Sequence, residues 1–305
     1  MQSSQIARAF LPGILKRRPA VSFVVPVFNK RAYLDSCIRS ILAQDVPEVE
    51  IICIDDASTD GSLEVLGKYR RDRRVRIVRN YENRGAGESR NRGISLASAD
   101  FIRFVDADDV IPASSSSRLL EAAYRLRTPL IRGNIVSSRD MSVSEKAILP
   151  VSQSAPVAFY EHESLRIPWY FVCYLIKRSE LLASRTSFPR LRVGEDAVFL
   201  TELLCFSTVV APIADIVYCY RSRRAQGRRR YSLLEVEDYF EHAVRVMDLF
   251  VAHNYERCWL TYEPVFRRSM EKLIHRAALE PRTRRLMESK LAHICGQTNG
   301  LTSGP

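Results

Sequence analysis

The stretch "FIRFVDADDV", residues Phe101–Val110, joins an apolar run to three closely spaced carboxylates. Its first half predicts a buried strand, and Asp106, Asp108 and Asp109 follow where that strand ends. Like charges at this spacing repel one another, so a cluster of this kind needs a cation nearby. The stretch therefore predicts a strand whose carboxyl end forms a cation-dependent site.

Similar strand-and-helix units precede this stretch. Strands are predicted at "VSFVVPVF" (21–28), "VEIICIDD" (49–56) and "VRIVRN" (75–80). Each is followed by a helical pattern, and this alternation predicts a parallel sheet with right-handed crossovers. Ligands bind such sheets at the carboxyl ends of the strands. Asp55 and Asp56 end the second predicted strand, so we expect them at the same edge as Asp106 and Asp108.

The first unit carries two further signals. Pro26 cannot donate a backbone hydrogen bond, so the first strand is expected to end near it. The helix predicted over about residues 30–43 has its apolar side chains at helical spacing, namely Leu34, Cys37, Ile38, Ile41 and Leu42. That stripe predicts a helix with one buried face.

The pattern is less regular after residue 110. We predict helices at 114–127 and 194–206, and strands at 130–136, 169–176 and 215–221. Beyond the arginine run "RSRRAQGRRR" (221–230), residues 232–295 have the spacing of amphipathic helices. The chain is therefore predicted to end in a helical region.

The composition is that of a globular protein. The chain has 305 residues, of which 46% are hydrophobic, so it can bury a full core. No apolar run approaches the roughly 20 residues that span a bilayer, and the start lacks a secretory signal, which favours a cytoplasmic protein. The seven cysteines are an odd number without a C-x-x-C pair, and we interpret them as reduced core residues.

The net charge of +11 is carried largely by arginine and is densest at residues 221–230. Such a run could meet nucleic acid, anionic lipid or a polyanionic substrate, or simply be a solvated loop. The leader "IARAFLPGILKRR" (6–18) combines apolar and basic residues and could contact the inner face of a membrane. Pro12 interrupts any long helix there, so a disordered leader is the alternative.

Five segments resemble, in the same order, the motifs of glycosyltransferase family 2. They are "VVPVFNKRAYLDSCIRSILAQ" (24–44), "EIICIDDASTDGS" (50–62), "NRGAGESRNRGI" (83–94), "FIRFVDADD" (101–109) and "VGEDAVFLTELL" (193–204). The resemblance covers about residues 21–221. It implies an inverting, nucleotide-sugar-dependent transferase of the GT-A fold, an α/β fold with a mostly parallel, Rossmann-like sheet flanked by helices.

The resemblance also suggests a division of the chain. We predict a leader at residues 1–20, a GT-A domain at 21–225 and a helical C-terminal extension at 226–305. Within the domain, residues 21–110 are expected to bind the nucleotide sugar and residues 111–225 the acceptor. "AQGRRRYS" (225–232) stands where the family commonly has a Gly-Ser segment, which leaves acceptor specificity open.

On the donor side, a strand-end carboxylate can accept a hydrogen bond from the N3–H of uracil. The resemblance assigns that role chiefly to Asp56; the alternative is that Asp55 and Asp56 form a turn and cap the next helix. The donor-binding residues that the resemblance implies are Pro26, Val27, Asn29, Asp55, Asp56, Arg90, Asp106, Ala107, Asp108 and Arg221. A plain surface helix is the alternative for the segment that carries Arg90.

The family's D-x-D motif corresponds to Asp106-Ala107-Asp108. A nucleotide diphosphate can lie beside carboxylates only with a divalent cation between them, and Mg²⁺ or Mn²⁺ takes oxygen ligands from carboxylates and phosphates. The resemblance makes Asp108 the direct ligand and places Asp106 beside the ribose or the metal. Asp109 is expected to support this loop or to cap a helix.

On the acceptor side, a sugar hydroxyl becomes a good nucleophile only as its proton is removed, so an inverting transferase needs a carboxylate there. The resemblance assigns the base to Asp196 and a supporting role to Glu195. The alternative is that both acids merely stabilise a helix N-terminus. Arg221, at a Y-x-Y-R strand end, is expected to face the donor phosphates.

The expected activity is transfer of a hexosyl or N-acetylhexosaminyl group from a nucleotide sugar, with UDP favoured as the nucleotide. The acceptor is expected to be a hydroxyl of a saccharide or of a lipid-linked acceptor, as in cell-surface polysaccharide synthesis.

Two alternative functions remain. "FVDADDV" also fits the first motif of haloacid-dehalogenase-like phosphatases, although that motif belongs on a first strand. A nucleic-acid-binding protein is indicated by the arginine run alone, which lacks interleaved aromatic residues, so we expect no nucleic-acid partner.

Overall fold

A computed structural model describes residues 18–46, 48–138, 157–158, 170–222 and 231–296. Most of the predicted leader and the arginine run from residue 223 lie outside the described residues.

The described strands form one mixed sheet. They are β1 (Val21–Val27), β2 (Val49–Asp55), β3 (Val75–Arg79), β4 (Phe101–Phe104), β5 (Leu130–Ser138), β6 (Val157–Ala158), β7 (Tyr174–Lys177) and β8 (Val209–Arg221). Their order across the sheet is β3-β2-β1-β4-β7-β5-β8-β6. The first four strands are parallel, β7 runs antiparallel to β4 and β5, and β8 is parallel to β5. The predicted α/β sheet is therefore confirmed.

Helices connect and flank these strands. They are α1 (Arg31–Leu42), α2 (Ser62–Gly67), α3 (Ala86–Leu96), α4 (Ser115–Leu126), α5 (Arg178–Ser184), α6 (Glu195–Ser207), α7 (Leu233–Ala252), α8 (Glu256–Arg276) and α9 (Pro281–Gly296). The stripe predicted on α1 is buried at Leu34, Cys37, Ile38 and Ile41. Among the described helices, none combines the length and apolarity that crossing a membrane requires.

The position of Pro26 follows from the register of its neighbours. The Val24 carbonyl accepts a hydrogen bond from Val105 beyond β4, whereas the Val27 carbonyl accepts one from Asp56 beyond β2. Alternation along β1 therefore turns Pro26 toward β4, whose pairing with β1 stops at Val24. The missing N–H of Pro26 therefore removes no hydrogen bond between β1 and β4. Strand β1 ends one residue later, as predicted.

The prediction of a strand at residues 169–176 is wrong for the first half of that segment. Phe171–Cys173 form a short 3-10 helix, and only Tyr174–Lys177 continue as β7. The turn places Phe171 against Phe104 and Phe199, with ring centroids 5.5 and 6.3 Å apart. A short apolar run is buried in either conformation, so its sequence pattern cannot distinguish them.

One hydrophobic core extends from the sheet into the C-terminal helices. It contains Phe104 of β4, Phe199 of α6, Phe240 of α7 and Trp259 of α8. All seven cysteines are buried, and no disulfide joins them within the described residues, which confirms their interpretation as core residues. The helical character predicted for the C-terminal region is confirmed, while the division into nucleotide-sugar and acceptor halves stays a prediction.

Candidate active site

A cleft of about 640 Å³ opens at the carboxyl ends of β1, β2 and β4. The predicted site residues that line it are Pro26, Val27, Asp56, Arg90, Asp106, Ala107, Asp108, Asp109 and Glu195. Four others do not line it, namely Asn29, Asp55, Asp196 and Arg221. The strand-end argument therefore brings most of the predicted residues to one place.

Asp56 is buried and held by donors from the segment before α3. Its carboxylate accepts hydrogen bonds from the side chain of Asn80 at 2.7 Å and from the backbone N–H groups of Arg84 and Gly85 at 3.0 and 2.8 Å. It does not cap the next helix, because Asp60 is the acceptor for the first N–H of α2, that of Ser62. The network aims the Asp56 carboxylate into the cleft in a fixed orientation.

Asp55 and Asn29 have other surroundings. Asp55 is fully buried at the end of β2, where its carboxylate lies 3.5 Å from the guanidinium of Arg79 on β3. Asn29 has a left-handed backbone, with φ of 52°, and its side chain accepts a hydrogen bond from the Thr59 N–H at 2.8 Å. Asn29 thus ties the loop after β1 to the loop after β2, beside the cleft.

Asp108 has a cationic partner that the motifs did not indicate. The ammonium of Lys30, on the loop between β1 and α1, lies 2.7 Å from Asp108 Oδ2. Both residues line the cleft. They are 78 positions apart in the chain, so only the parallel arrangement of β1 and β4 brings them together.

Arg90 joins the D-x-D loop to the start of α6. Its guanidinium lies 2.9 Å from Asp106 and 3.2 Å from Glu195. The rings of Phe171 and Phe188 flank it at 4.6 and 5.2 Å. Burial alone would lower the pKa of Arg90, but the two carboxylates outweigh it and raise the pKa. Arg90 is therefore a buried cation, and the surface-helix alternative for it is wrong.

Asp109 and Arg221 support the D-x-D loop from β8. Asp109 accepts hydrogen bonds from the Tyr218 hydroxyl at 2.9 Å and from the Arg221 N–H at 2.7 Å. Burial, with a contribution from Asp106, raises the pKa of Asp109 to about 6. The Arg221 side chain donates to the Asp108 carbonyl and lies over the Tyr33 ring, outside the cleft lining. Since α4 begins only at Ser115, Asp109 is not a helix cap.

Asp196 lies in the first turn of α6, beside the cleft-lining Glu195. Protein atoms surround its carboxyl group although part of the residue reaches solvent. This burial, and then the charge of Glu195, raise the pKa of Asp196 to about 7, while Arg90 acts in the opposite direction. A carboxylate with a pKa near neutrality can exchange a proton with a hydroxyl more readily than an ordinary aspartate.

Helix α7 packs against the turn that presents Asp196. The Asp238 carboxylate accepts a hydrogen bond from the Arg192 N–H at 2.8 Å. Gly194 has φ of +86°, and a Cβ on it would lie 2.5 Å from the ring of His242. The His242 ring in turn lies 2.6 Å, Nε2 to hydroxyl, from Tyr262 of α8. The C-terminal helices thus fix the backbone that leads into α6.

The comparisons with known proteins agree with this geometry. The sequence model of glycosyl transferase family 2 matches residues 22–173. The glycosyltransferase GlyG of Streptococcus pneumoniae serotype 4 is 27% identical over 245 residues, which cover 75% of this chain and 78% of GlyG. The chain is a family 2 glycosyltransferase. This assignment excludes the phosphatase alternative. The phosphatase motif belongs on a first strand, whereas the acidic loop of this chain follows the fourth strand.

A second relative is TarS of Staphylococcus aureus, a poly(ribitol-phosphate) beta-N-acetylglucosaminyltransferase. It is 27% identical to this transferase over 230 residues. The matched region covers 72% of this transferase but only 38% of TarS. The crystal structure of TarS residues 1–349 with UDP superimposes with a TM-score of 0.68 at 17% identity, covering 91% of this chain and 88% of that one. At 91% coverage the likeness includes far more of the chain than residues 22–173, and it confirms the GT-A fold.

The donor set of this glycosyltransferase fits a divalent cation. A mannosyltransferase from Pyrobaculum calidifontis, solved with GDP-Man and Mn²⁺, has the same fold, with a TM-score of 0.57 at 16% identity over 93% of this chain and 88% of that one. In the described part of this chain, no three His, Cys, Asp or Glu residues form a metal site by themselves. Asp106 and Asp108 could nevertheless supply the one or two carboxylates that Mg²⁺ or Mn²⁺ uses together with phosphates.

The sequence-based reasoning missed one residue that lines this transferase's cleft, Lys30, and two that support the cleft from α7, Asp238 and His242. Lys30 lies within the quoted motif "VPVFNKR" but carried no motif role, and Asp238 and His242 belong to the helical region to which no function was assigned. Their partners are distant in the sequence, so no local spacing could have revealed them. The one available signal was the excess of carboxylates at the strand ends, which requires nearby cations.

Proposed function

We propose that this protein transfers a hexosyl or N-acetylhexosaminyl group from a UDP-sugar to a hydroxyl of a saccharide or lipid-linked acceptor, with inversion at the anomeric carbon. The observation that supports this most strongly is the single cleft that combines Asp56, the D-x-D carboxylates and the start of α6, with Arg90 joining the two sides. The name of TarS and its complex with UDP favour a role in cell-surface polysaccharide synthesis.

In this proposal, Asp56 recognises the base. A carboxylate offers about four acceptor positions, and three protein donors reach Asp56. The Arg84 N–H is shared between both carboxylate oxygens, at 3.0 and 3.2 Å, so the N3–H of uracil would replace the weaker of these two contacts. The bonds from Arg84 and Gly85 orient the carboxylate before the nucleotide arrives. Pro26 and Val27 form the adjacent wall.

Asp108, with Asp106 beside it, would hold Mn²⁺ or Mg²⁺. The cation would neutralise charge on the departing diphosphate. Asp109, Tyr218 and Arg221 hold the loop that carries both carboxylates, so its backbone is set before a ligand binds.

Asp196 serves as the general base in this proposal. Its raised pKa, about 7, favours proton transfer near neutral pH, and Glu195 tunes it through charge while itself bonded to Arg90. Arg90 keeps Glu195 and Asp106 at fixed positions, which aligns the acceptor side with the donor side. The acceptor is proposed to be a saccharide or a lipid-linked saccharide, and the net charge of +11 would favour peripheral contact with an anionic membrane.

The direct test is a donor screen with the full chain. UDP-, GDP- and dTDP-sugars are incubated with Mg²⁺, Mn²⁺ or chelator, and both donor hydrolysis and nucleotide binding by calorimetry are measured. We expect metal-dependent binding and hydrolysis of a UDP-sugar. Absence of binding of any nucleotide sugar would contradict the proposal, and preference for GDP- or dTDP-sugars would contradict the assignment of the nucleotide.

A further inference from the structure

Lys30 occupies an unusual position for a lysine, because its ammonium group pairs with the carboxylate proposed as the direct metal ligand. Nζ lies 2.7 Å from Asp108 Oδ2, and the side chains are 26% and 17% exposed. Both residues line the donor cleft. A divalent cation at Asp108 would therefore compete with the ammonium for the same carboxylate.

The backbone of Lys30 is held independently of its side chain. Its N–H donates a hydrogen bond to Ser62 Oγ at 2.8 Å, and the neighbouring Asn29 is tied to Thr59. The Lys30 carbonyl accepts the first hydrogen bonds of α1, from Tyr33 and Leu34. The lysine side chain, a flexible four-carbon stem, can thus move without disturbing the loop.

The second cation of the D-x-D loop behaves differently. Arg90, which pairs with Asp106, has a side chain only 6% exposed, lies against Phe171 and Phe188, and bonds Glu195 as well. Moving Arg90 would leave a buried charge and two carboxylates without their partner. Of the two cations, Lys30 is the more exposed and is not enclosed by aromatic rings, so it can leave its carboxylate at a lower cost than Arg90 can.

We propose that Lys30 is a displaceable counter-ion, which holds Asp108 in the metal-free enzyme and exchanges this partner for the diphosphate of the donor when the metal binds. The inference rests on the proposed function and deepens it. Without a donor, the metal must displace the ammonium from its 2.7 Å pair with Asp108. With the diphosphate present, the displaced ammonium gains an additional anionic partner, so metal and donor promote each other's binding, and this coupling is reciprocal.

The test compares Lys30→Met, which keeps most of the side-chain length but removes the charge, with the parent full chain. Mn²⁺ affinity is measured by the electron paramagnetic resonance signal of free Mn²⁺, with and without UDP. We expect Lys30→Met to bind Mn²⁺ about two- to fivefold more tightly without UDP, the range for a partly exposed ion pair. The gain in Mn²⁺ affinity that UDP produces should shrink by a similar factor.

Two further variants make the outcome specific. Lys30→Arg keeps the charge and should behave much more like the parent than Lys30→Met does. Lys68→Met removes an exposed lysine at the end of α2, outside the cleft, and controls for net charge. Unchanged, weaker or undetectable Mn²⁺ binding by Lys30→Met would overturn the inference, as would an equal effect of Lys68→Met. Failure of the parent to bind UDP or a UDP-sugar would instead overturn the proposed function.

Discussion

At the scale of single residues, the cleft shows how one side-chain type acquires different properties. Asp56 is held by N–H donors, Asp108 by an ammonium and Asp106 by a buried guanidinium. Burial raises the pKa of Asp109 to about 6 and that of Asp196 to about 7. Five aspartates can therefore have separate roles because their surroundings stabilise or destabilise the charged form to different extents.

The assignment of Asp196 predicts a pH dependence of transfer. Only the ionised carboxylate can accept the hydroxyl proton, so the rate should rise with pH below about 7 and level off above it. Asp196→Asn keeps the size but removes the proton acceptor, so transfer should fall by about 10² or more while UDP affinity persists. Glu195→Gln should cost less and shift the midpoint of the pH profile to lower pH, because a neighbouring negative charge is lost.

These measurements pair steady-state transfer rates from pH 5.5 to 8.5 with UDP calorimetry for each variant. Near-parent transfer by Asp196→Asn would contradict the general-base assignment. So would loss of UDP binding in that variant, because the base is proposed to act on the acceptor alone.

Asp56→Ala is predicted to affect both binding and stability. It removes the proposed acceptor for uracil, and it also leaves the side chain of Asn80 and the N–H groups of Arg84 and Gly85 without their acceptor. We expect UDP affinity to fall and unfolding free energy to drop by about 1–3 kcal/mol, the usual cost of unpaired buried donors. Calorimetry with UDP and urea denaturation measure the two effects, and unchanged UDP affinity would leave Asp56 a purely structural residue.

At the scale of secondary-structure elements, the start of α6 depends on α7. Asp238 bonds the backbone of Arg192, and His242 fills the space that the missing Cβ of Gly194 leaves open. The segment between Arg192 and Asp196 is therefore positioned by a helix that begins 37 residues after Asp196, at Leu233. If Asp196 is the base, as proposed, this contact gives the C-terminal helices a part in positioning it.

Asp238→Ala should loosen this segment without touching the donor. We expect kcat for transfer to fall several-fold, while UDP affinity and the Mn²⁺ dependence stay near those of the parent. Glu241→Ala on the same helix is the matched control, since Glu241 forms an exposed pair with Arg245. Equal kcat values for the two variants would show that the α7 contact does not position the base.

At the scale of the whole molecule, the continuous core predicts cooperative unfolding. Phe240 of α7 is fully buried in the same cluster as Phe199 of α6, and Lys290 of α9 lies over its ring. Phe240→Ala should lower the unfolding free energy by about 3–5 kcal/mol and shift a single thermal transition. Leu286→Ala, at an exposed position of α9, should change stability by no more than about 0.5 kcal/mol. Two separate calorimetric transitions would show that the C-terminal helices fold as an independent unit.

The sequence by itself determined the elements and their chemistry. Buried strands that end in Asp55 and Asp106, the apolar stripe of α1 and the ordered family motifs follow from patterns within a few residues, which local physics sets. Because parallel strands share one carboxyl edge, those patterns also predicted where the cleft lies.

Only the tertiary structure decided which charges neutralise which. The pair Lys30–Asp108 joins positions 78 residues apart, and the pair Arg90–Glu195 joins positions 105 residues apart. The antiparallel direction of β7 and the hydrogen bond from the Arg192 backbone to Asp238 of α7 also depend on packing across the core. Such partners are set by the three-dimensional crossing of elements, for which no local spacing in the sequence carries a signal. The pKa of Asp196 belongs to this second class, because it arises from burial and from neighbours that folding brings together.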